Sequence, residues 1–88
     1  MITTTQHTIG TTPVLISEAH HNPVEIHLHS EEHGNGHPIY LGESDVSTTT
    51  GYHIQPDLDL VLNIPAGESL FAVSDGAGRE LHVIRIAD

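Results

Sequence analysis

Histidine is the residue type in this chain best suited to chemistry, since nine of its 88 residues are histidines and none is cysteine. His27 and His29 lie two residues apart in the segment Val24–His29, in which apolar and polar residues alternate. On a β-strand this spacing places both imidazoles on one face, where they could bind a single metal ion. The loop that follows could supply a third ligand from Glu31, Glu32 or His33. The candidate metal ligands are therefore His27, His29 and His33.

The His-x-His spacing resembles the first metal motif of the cupins, which are small β-barrel proteins. A cupin also needs an acidic ligand a few residues after the pair, and Glu31 and Glu32 come slightly too early. It needs a later histidine as well, and Leu70 occupies that position. We therefore expect no cofactor and no catalytic residue, and we keep a metal-dependent mini-cupin enzyme as an alternative. The histidines also fit a solvated strand face, or a zinc or nickel ion held between subunits.

Paired carboxylates offer a second kind of chemistry, because glycosidases hold two carboxyl groups across a cleft. Asp57 and Asp59 share one face of a predicted strand, and Glu31 and Glu32 are neighbours in a loop. With only two tyrosines, one phenylalanine and no tryptophan, the chain has little from which to build a sugar-binding cleft. We expect these carboxylates to be solvated surface groups, and the protein not to be an enzyme.

The charge balance excludes two classes of partner. Lysine and arginine together number 2, against 12 aspartates and glutamates, and the formal net charge at pH 7 is −10. Nucleic acids and anionic membrane surfaces both attract basic residues. The apolar runs are too short to span a bilayer, and the N-terminal residues lack the pattern of a signal peptide. We therefore expect neither nucleic acid nor membrane as a partner.

Short alternating apolar segments separated by turn residues predict an all-β fold, a small antiparallel β-sandwich or barrel of about eight short strands. We expect one domain over residues 1–88, with residues 1–5 as a loose N-terminal arm, and the three aromatic residues as core anchors. The predicted strands are Gln6–Ile9, Val14–Ile16, Val24–His29, Ile39–Leu41, Tyr52–Ile54, Leu58–Ile64, Ser69–Val73 and Glu80–Ile86. A domain of this size without disulfides has a thin core, which favours a homo-oligomer.

From Pro38 onward, the sequence resembles small structural proteins of tailed bacteriophages. The similarity begins with a strand and its following glycine, Ile39-Tyr40-Leu41-Gly42, and continues into a hydroxyl-rich loop, Ser44 to Thr49. It extends through Gly51-Tyr52 and Gln55-Pro56 to the strand Leu70-Phe71-Ala72-Val73-Ser74. This resemblance covers about half of the chain.

The resemblance implies a capsid decoration protein that binds the outer capsid surface of the virion and bridges capsid subunits. Its partners would be the major capsid protein and further copies of itself, in a trimer at a three-fold axis of the capsid. A tail-associated or host-recognition β module is the alternative within the same family. The residues expected to contact the capsid or a neighbouring subunit are Ile2, Thr3, Thr4, Thr5, Glu43, Ser44, Asp45, Ser47, Thr48 and Thr49.

Overall fold

The computed structural model describes residues 1–30, 38–54, 59–76 and 79–87. Within these ranges it contains eight β-strands, and no helix there is long and apolar enough to cross a membrane. The strands are β1 (Ile2–Ile9), β2 (Val14–Ser17), β3 (Val24–Ser30), β4 (Ile39–Gly42), β5 (Tyr52–Ile54), β6 (Asp59–Ile64), β7 (Leu70–Ser74) and β8 (Arg79–Ile86).

The strands form two four-stranded sheets. Sheet A has the strand order β1-β8-β3-β6, and sheet B has the order β2-β7-β4-β5. All neighbouring strands in both sheets run antiparallel. Strands that follow one another along the chain lie in different sheets, except β4 and β5, which gives the connectivity of a jelly roll. The predicted all-β fold is therefore confirmed as a β-sandwich of two antiparallel sheets.

The core lies between the two sheets, and β3 shows most regularly how alternate residues of a strand face it. In β3, Val24, Ile26 and Leu28 are buried, whereas the intervening Glu25 is exposed. This follows from the two-residue period of a strand, which sends successive side chains to opposite faces. The buried cluster is formed by Ile9, Ile16, Val24, Ile26, Leu28, Ile39, Leu41, Ile54, Ile64, Leu70, Ala72, Leu81, Val83 and Ala87.

No aromatic residue belongs to this core cluster, contrary to the expectation from the sequence. Tyr52 is 63% exposed. Tyr40 and Phe71 point away from the core, because their strand neighbours Leu41 and Ala72 point into it. A thin sandwich closes on medium-sized aliphatic side chains, which leaves the larger rings for its outer surface.

A buried polar contact joins the two sheets at one end of the sandwich. Arg85, in β8 of sheet A, donates a hydrogen bond from Nε to Oγ of Ser17, at the end of β2 in sheet B, at 3.0 Å. A second guanidinium nitrogen of Arg85 donates to the carbonyl oxygen of Glu18 at 3.4 Å. One of the two basic residues of the chain therefore serves the packing of the sheets.

The N-terminal residues differ from their predicted state. The sequence predicts a loose arm over residues 1–5, whereas Ile2 to Thr5 form the first half of β1 and pair with residues 83–86 of β8. The N–H of Ala87 donates to the carbonyl oxygen of Met1 at 3.0 Å, which continues the pairing beyond the strand. Threonine is a good strand former because its branched side chain fits a pleated surface, and this preference outweighs the polarity of the segment.

Candidate interaction surface

The outer face of sheet A brings three histidines together with carboxylates. The register of the four strands arranges the outward side chains in rows that cross the sheet. One row consists of Gln6, His82, His29 and Asp59. The next consists of Thr4, Ile84, His27 and Val61. A third consists of Ile2, Ile86, Glu25 and Asn63. Three histidines, two carboxylates and four aliphatic side chains therefore share one surface.

Two of these histidines pair with carboxylates on the same face. His27 Nε2 lies 2.7 Å from Glu25 Oε2, and His29 Nδ1 lies 2.7 Å from Asp59 Oδ1. The rings of His29 and His82 are tilted, with centroids 6.2 Å apart. All of these side chains are substantially exposed to solvent, so each ion pair contributes at most about 1 kcal/mol to folding, and only when its histidine is protonated.

The structure places the predicted metal ligands His27 and His29 on one face, as their spacing requires, and His33 lies outside the described residues together with Glu31 and Glu32. Among the residues that the structure describes, no group of three or more His, Cys, Asp or Glu side chains could hold a metal ion. His27 and His29 instead each face a carboxylate of their own. Their arrangement fits the solvated strand face better than a metal site.

The same face also exposes large aliphatic side chains, which sequence reasoning missed. Val61 is 53% exposed and Ile84 is 42% exposed, and Ile2 and Ile86 lie beside them with similar accessibility. A groove of about 570 Å³ runs over Ile84 between the histidines. The available signal was in β8, where Leu81 and Val83 face the core while Ile84 and Ile86 on the alternate positions are apolar as well. Ile2, Ile84 and Ile86 are neighbours on β1 and β8, whereas His27 separates Val61 from Ile84. Adjoining exposed apolar residues are typical of an interaction surface.

The outer face of sheet B has a different character, because the loop between β4 and β5 packs onto it. Val46, in this loop, is buried but does not belong to the core between the sheets. Its side chain lies against Gly42 and Gly51: a Cβ atom at either glycine would come within 2.8 Å of Val46 Cγ2. A Cβ at Gly51 would also approach Cβ of Tyr40 to 2.6 Å. Both glycines are therefore required for the loop to lie flat on the sheet.

A hydroxyl network holds the other half of this loop. Ser47 Oγ accepts hydrogen bonds from the backbone N–H groups of Thr49 and Thr50, both at 3.3 Å. The N–H of Gly51 donates to the carbonyl oxygen of Ser47 at 2.9 Å, which closes the turn. Serine and threonine commonly organise turns in this way. The run of small polar residues is thus explained by the local structure of the loop.

The predicted contact residues fall on two separate surfaces. Ile2, Thr3, Thr4 and Thr5 lie in β1, at the edge of sheet A. The others lie in the loop over sheet B, where Glu43, Ser44, Asp45, Thr48 and Thr49 are exposed and Ser47 is half-buried. Their role in contacts between subunits stays a prediction.

One titratable group on β1 is perturbed by its surroundings. His7 is on the inward side of the strand, opposite the buried Leu81, and its Nε2 lies 3.0 Å from Oγ1 of Thr5. Burial lowers the pKa of His7 below its ordinary value, because partial removal from water disfavours the charged imidazolium. The fold therefore favours neutral His7.

Comparison with known proteins adds one finding. No protein-family model matches the sequence, and no curated protein is similar to it. The fold is similar to a solved chain from Bacillus endospore appendages, which are described as a novel family of disulfide-linked pili. The TM-score is 0.60 at 12% sequence identity, and the similarity covers 99% of this chain and 85% of that chain. At this identity the similarity establishes a shared fold.

This finding corrects the expectation drawn from the phage resemblance. The structural similarity is with a bacterial pilus, so the predicted capsid decoration function and the tail-associated alternative are wrong. The predictions that depended on this function are wrong as well. They are the major capsid protein as partner, the capsid-bound trimer and the location on the outer virion surface. The physical reason lies in the motif itself. Gly42, Gly51 and Ser47 are explained by the packing of one loop, which any sandwich with such a loop needs.

Proposed function

We propose that this protein is a non-enzymatic structural subunit that associates with copies of itself to build a fibre on a cell or spore surface. The observation that carries the proposal is the similarity of the fold, over nearly the whole chain, to a protein of Bacillus endospore pili. A shared fold alone does not define a function. The proposal therefore rests equally on a surface of this chain that suits association.

That surface is the outer face of sheet A. It exposes Val61 and Ile84 in a shallow groove, and Ile2 and Ile86 in the neighbouring row of the same face. The protein otherwise carries a strongly acidic charge. Full burial of one such aliphatic side chain contributes about 1.5–3 kcal/mol. Burial of several together supplies the favourable free energy that a contact between subunits needs to offset the entropy lost on association.

The association must differ from that of the Bacillus pili in one respect. Those pili are described as disulfide-linked, whereas the 88 residues of this chain contain no cysteine. Contacts made by these residues are therefore non-covalent. A reducing agent should leave the assembly intact, while urea should dissociate it. Electron microscopy of assemblies treated with dithiothreitol or with urea tests this difference.

Electrostatics predicts the conditions that favour association. A formal charge of −10 makes copies repel one another at pH 7 and low salt. Salt screens this repulsion, with a Debye length of about 8 Å at physiological ionic strength. Association should therefore strengthen as salt is raised from about 10 mM to 150 mM, and again as histidines gain charge below neutral pH.

Sedimentation velocity over a concentration series tests the surface. Ile84→Thr should weaken association about tenfold or more, because it removes an aliphatic group from the centre of the face. Leu15→Thr is the matched control: Leu15 is 44% exposed against 42% for Ile84, but it lies in β2 of sheet B. Equal weakening by both variants would contradict the assignment to sheet A. A wild-type protein that stays monomeric at all concentrations and salts would overturn self-association.

A further inference from the structure

The four edge strands of the sandwich differ sharply in how well they are protected. An edge strand carries unpaired backbone N–H and C=O groups that can pair with another chain. Proteins usually block such edges by making the strand short, by bulges, or by placing prolines and charged residues there. The edges here are β1 and β6 in sheet A, and β2 and β5 in sheet B.

Three of these edges show the usual protection. β5 has three residues, and β2 has four residues with a shift in register between Leu15 and Ser17. β6 is longer, but it begins with the charged Asp59 and is followed directly by Pro65. β2 and β5 are too short for a long ladder, and β6 offers six residues in regular register but begins with a carboxylate.

β1 lacks every one of these devices. It has eight residues, contains no Lys, Arg, Asp, Glu or Pro, and pairs with β8 without any shift in register. Six of its residues are exposed, Ile2 through Thr5 together with Gln6 and Thr8. Its threonines favour cross-strand pairing, since opposed threonines hydrogen-bond and pack well. The exposed edge of β1 can therefore pair with another strand.

We propose that β1 pairs antiparallel with β1 of a second copy of this chain, so that sheet A continues from one subunit into the next. This deepens the proposed function, because it names one contact through which subunits associate. Charge and strand length both favour a second copy of this chain as the partner. Copies of a protein with a net charge of −10 approach most easily along a strand without acidic residues, and β1, with eight residues, is the longest of the four edge strands.

Symmetry makes this pairing testable at single residues. An antiparallel pair of identical strands has a two-fold axis, and the residue on the axis lies opposite its own copy. Their Cα atoms are then about 4.5–5.5 Å apart, within the range that a disulfide can bridge. For a residue next to the one on the axis, the two copies are offset from each other by two residues, about 7 Å along the strand. Cross-linking should therefore be strong at one position and weak at its neighbours.

The experiment places single cysteines in the cysteine-free chain at Thr4→Cys, Thr5→Cys and Gln6→Cys, near the middle of β1. The matched control is Asn63→Cys, an exposed position on β6 at the opposite edge of the same sheet. Under mild oxidation at micromolar concentration, one β1 variant should form at least tenfold more disulfide-linked dimer than the control. Equal and low cross-linking at all four positions would overturn the pairing.

A second pair of variants tests the same contact without introducing cysteine. Thr4→Lys puts a charge on the β1 edge, and Asn63→Lys adds the same charge at the β6 edge. Thr4→Lys should weaken dimerisation in sedimentation about tenfold relative to Asn63→Lys, and equal dimerisation would contradict the inference. Fibres without β1 cross-linking would overturn this contact alone. Cross-linked dimers that never form fibres would overturn the proposed fibre and leave the contact standing. Absence of both would overturn both.

Discussion

The outer faces of the two sheets differ in how much of their apolar surface the chain itself covers. On sheet B, the loop between β4 and β5 folds back and buries Val46 against Gly42 and Gly51. On sheet A, Val61 and Ile84 stay exposed in the structure of the single chain. The chain's own loop covers apolar surface on sheet B, whereas the exposed apolar side chains on sheet A are of the kind that a second molecule covers. The difference supports the proposed contact between subunits on sheet A.

The largest effect should come from crowding the covered face. In Gly51→Ala, the new Cβ would lie 2.6 Å from Cβ of Tyr40 and 3.0 Å from the carbonyl oxygen of Ser47, so backbone has to move. We expect a loss of about 2–3 kcal/mol of unfolding free energy, measured by urea denaturation. Gly10→Ala is the control, because a Cβ at Gly10 meets nothing within 4 Å. Similar losses for both variants would show that Val46 does not hold the loop on sheet B.

A smaller effect should distinguish two valines, one on each face, when each is replaced by alanine and the loss of unfolding free energy is compared. Val46 is 6% exposed and Val61 is 53% exposed. Val46→Ala should cost about 1–2 kcal/mol, at about 0.8 kcal/mol for each buried carbon removed, whereas Val61→Ala should cost about 0.5 kcal/mol or less. Thermal and urea unfolding of dilute protein measures both. The comparison between the faces fails if Val61→Ala is the more destabilising change.

The smallest effect concerns His7, on the inward side of β1, and it sharpens the contrast between the inner and outer faces of sheet A. Burial lowers the pKa of folded His7, whereas an unfolded histidine titrates near pH ~6.5. The unfolded chain therefore binds more protons below about pH 6.5, and stability falls as the pH drops until folded His7 is protonated too.

His7→Gln should lack this contribution. The stability difference between wild type and His7→Gln should therefore shift in favour of the variant between pH 7.5 and pH 5. Urea midpoints at several pH values measure the shift. A difference that does not change with pH would mean that burial of the imidazole does not affect its protonation.

The fold could be predicted from the sequence because its signals are local. The alternation in Val24–His29 marks a strand with one buried face, and turn residues mark where strands end. The pairing of β1 with β8 could not be predicted in this way, since it joins the two ends of the chain and depends on packing against the whole sandwich. The threonines of residues 3–5 therefore suggest a loose arm although they form a regular strand.

The candidate surface was predicted only in part, for a related reason. The spacing of His27 and His29 correctly places both on one face, but spacing alone does not reveal that Glu25 and Asp59 lie 2.7 Å from them. Ile84 becomes visible as a surface residue only when the register of β8 shows that Val83 faces the core. The loop pattern from Gly42 to Gly51 reflects the packing of Val46, which explains why it pointed to the wrong family.

Electron microscopy of the purified full chain tests the central claim most directly. The protein would be concentrated in 150 mM salt, incubated at pH 7 and at pH 6, and imaged by negative stain, with Ile84→Thr prepared in parallel. We expect wild-type protein to form fibres with a regular repeat that persist in dithiothreitol, and Ile84→Thr to form few or none. Isolated particles of about the size of one chain under every condition would contradict the account of this protein as a self-assembling fibre subunit.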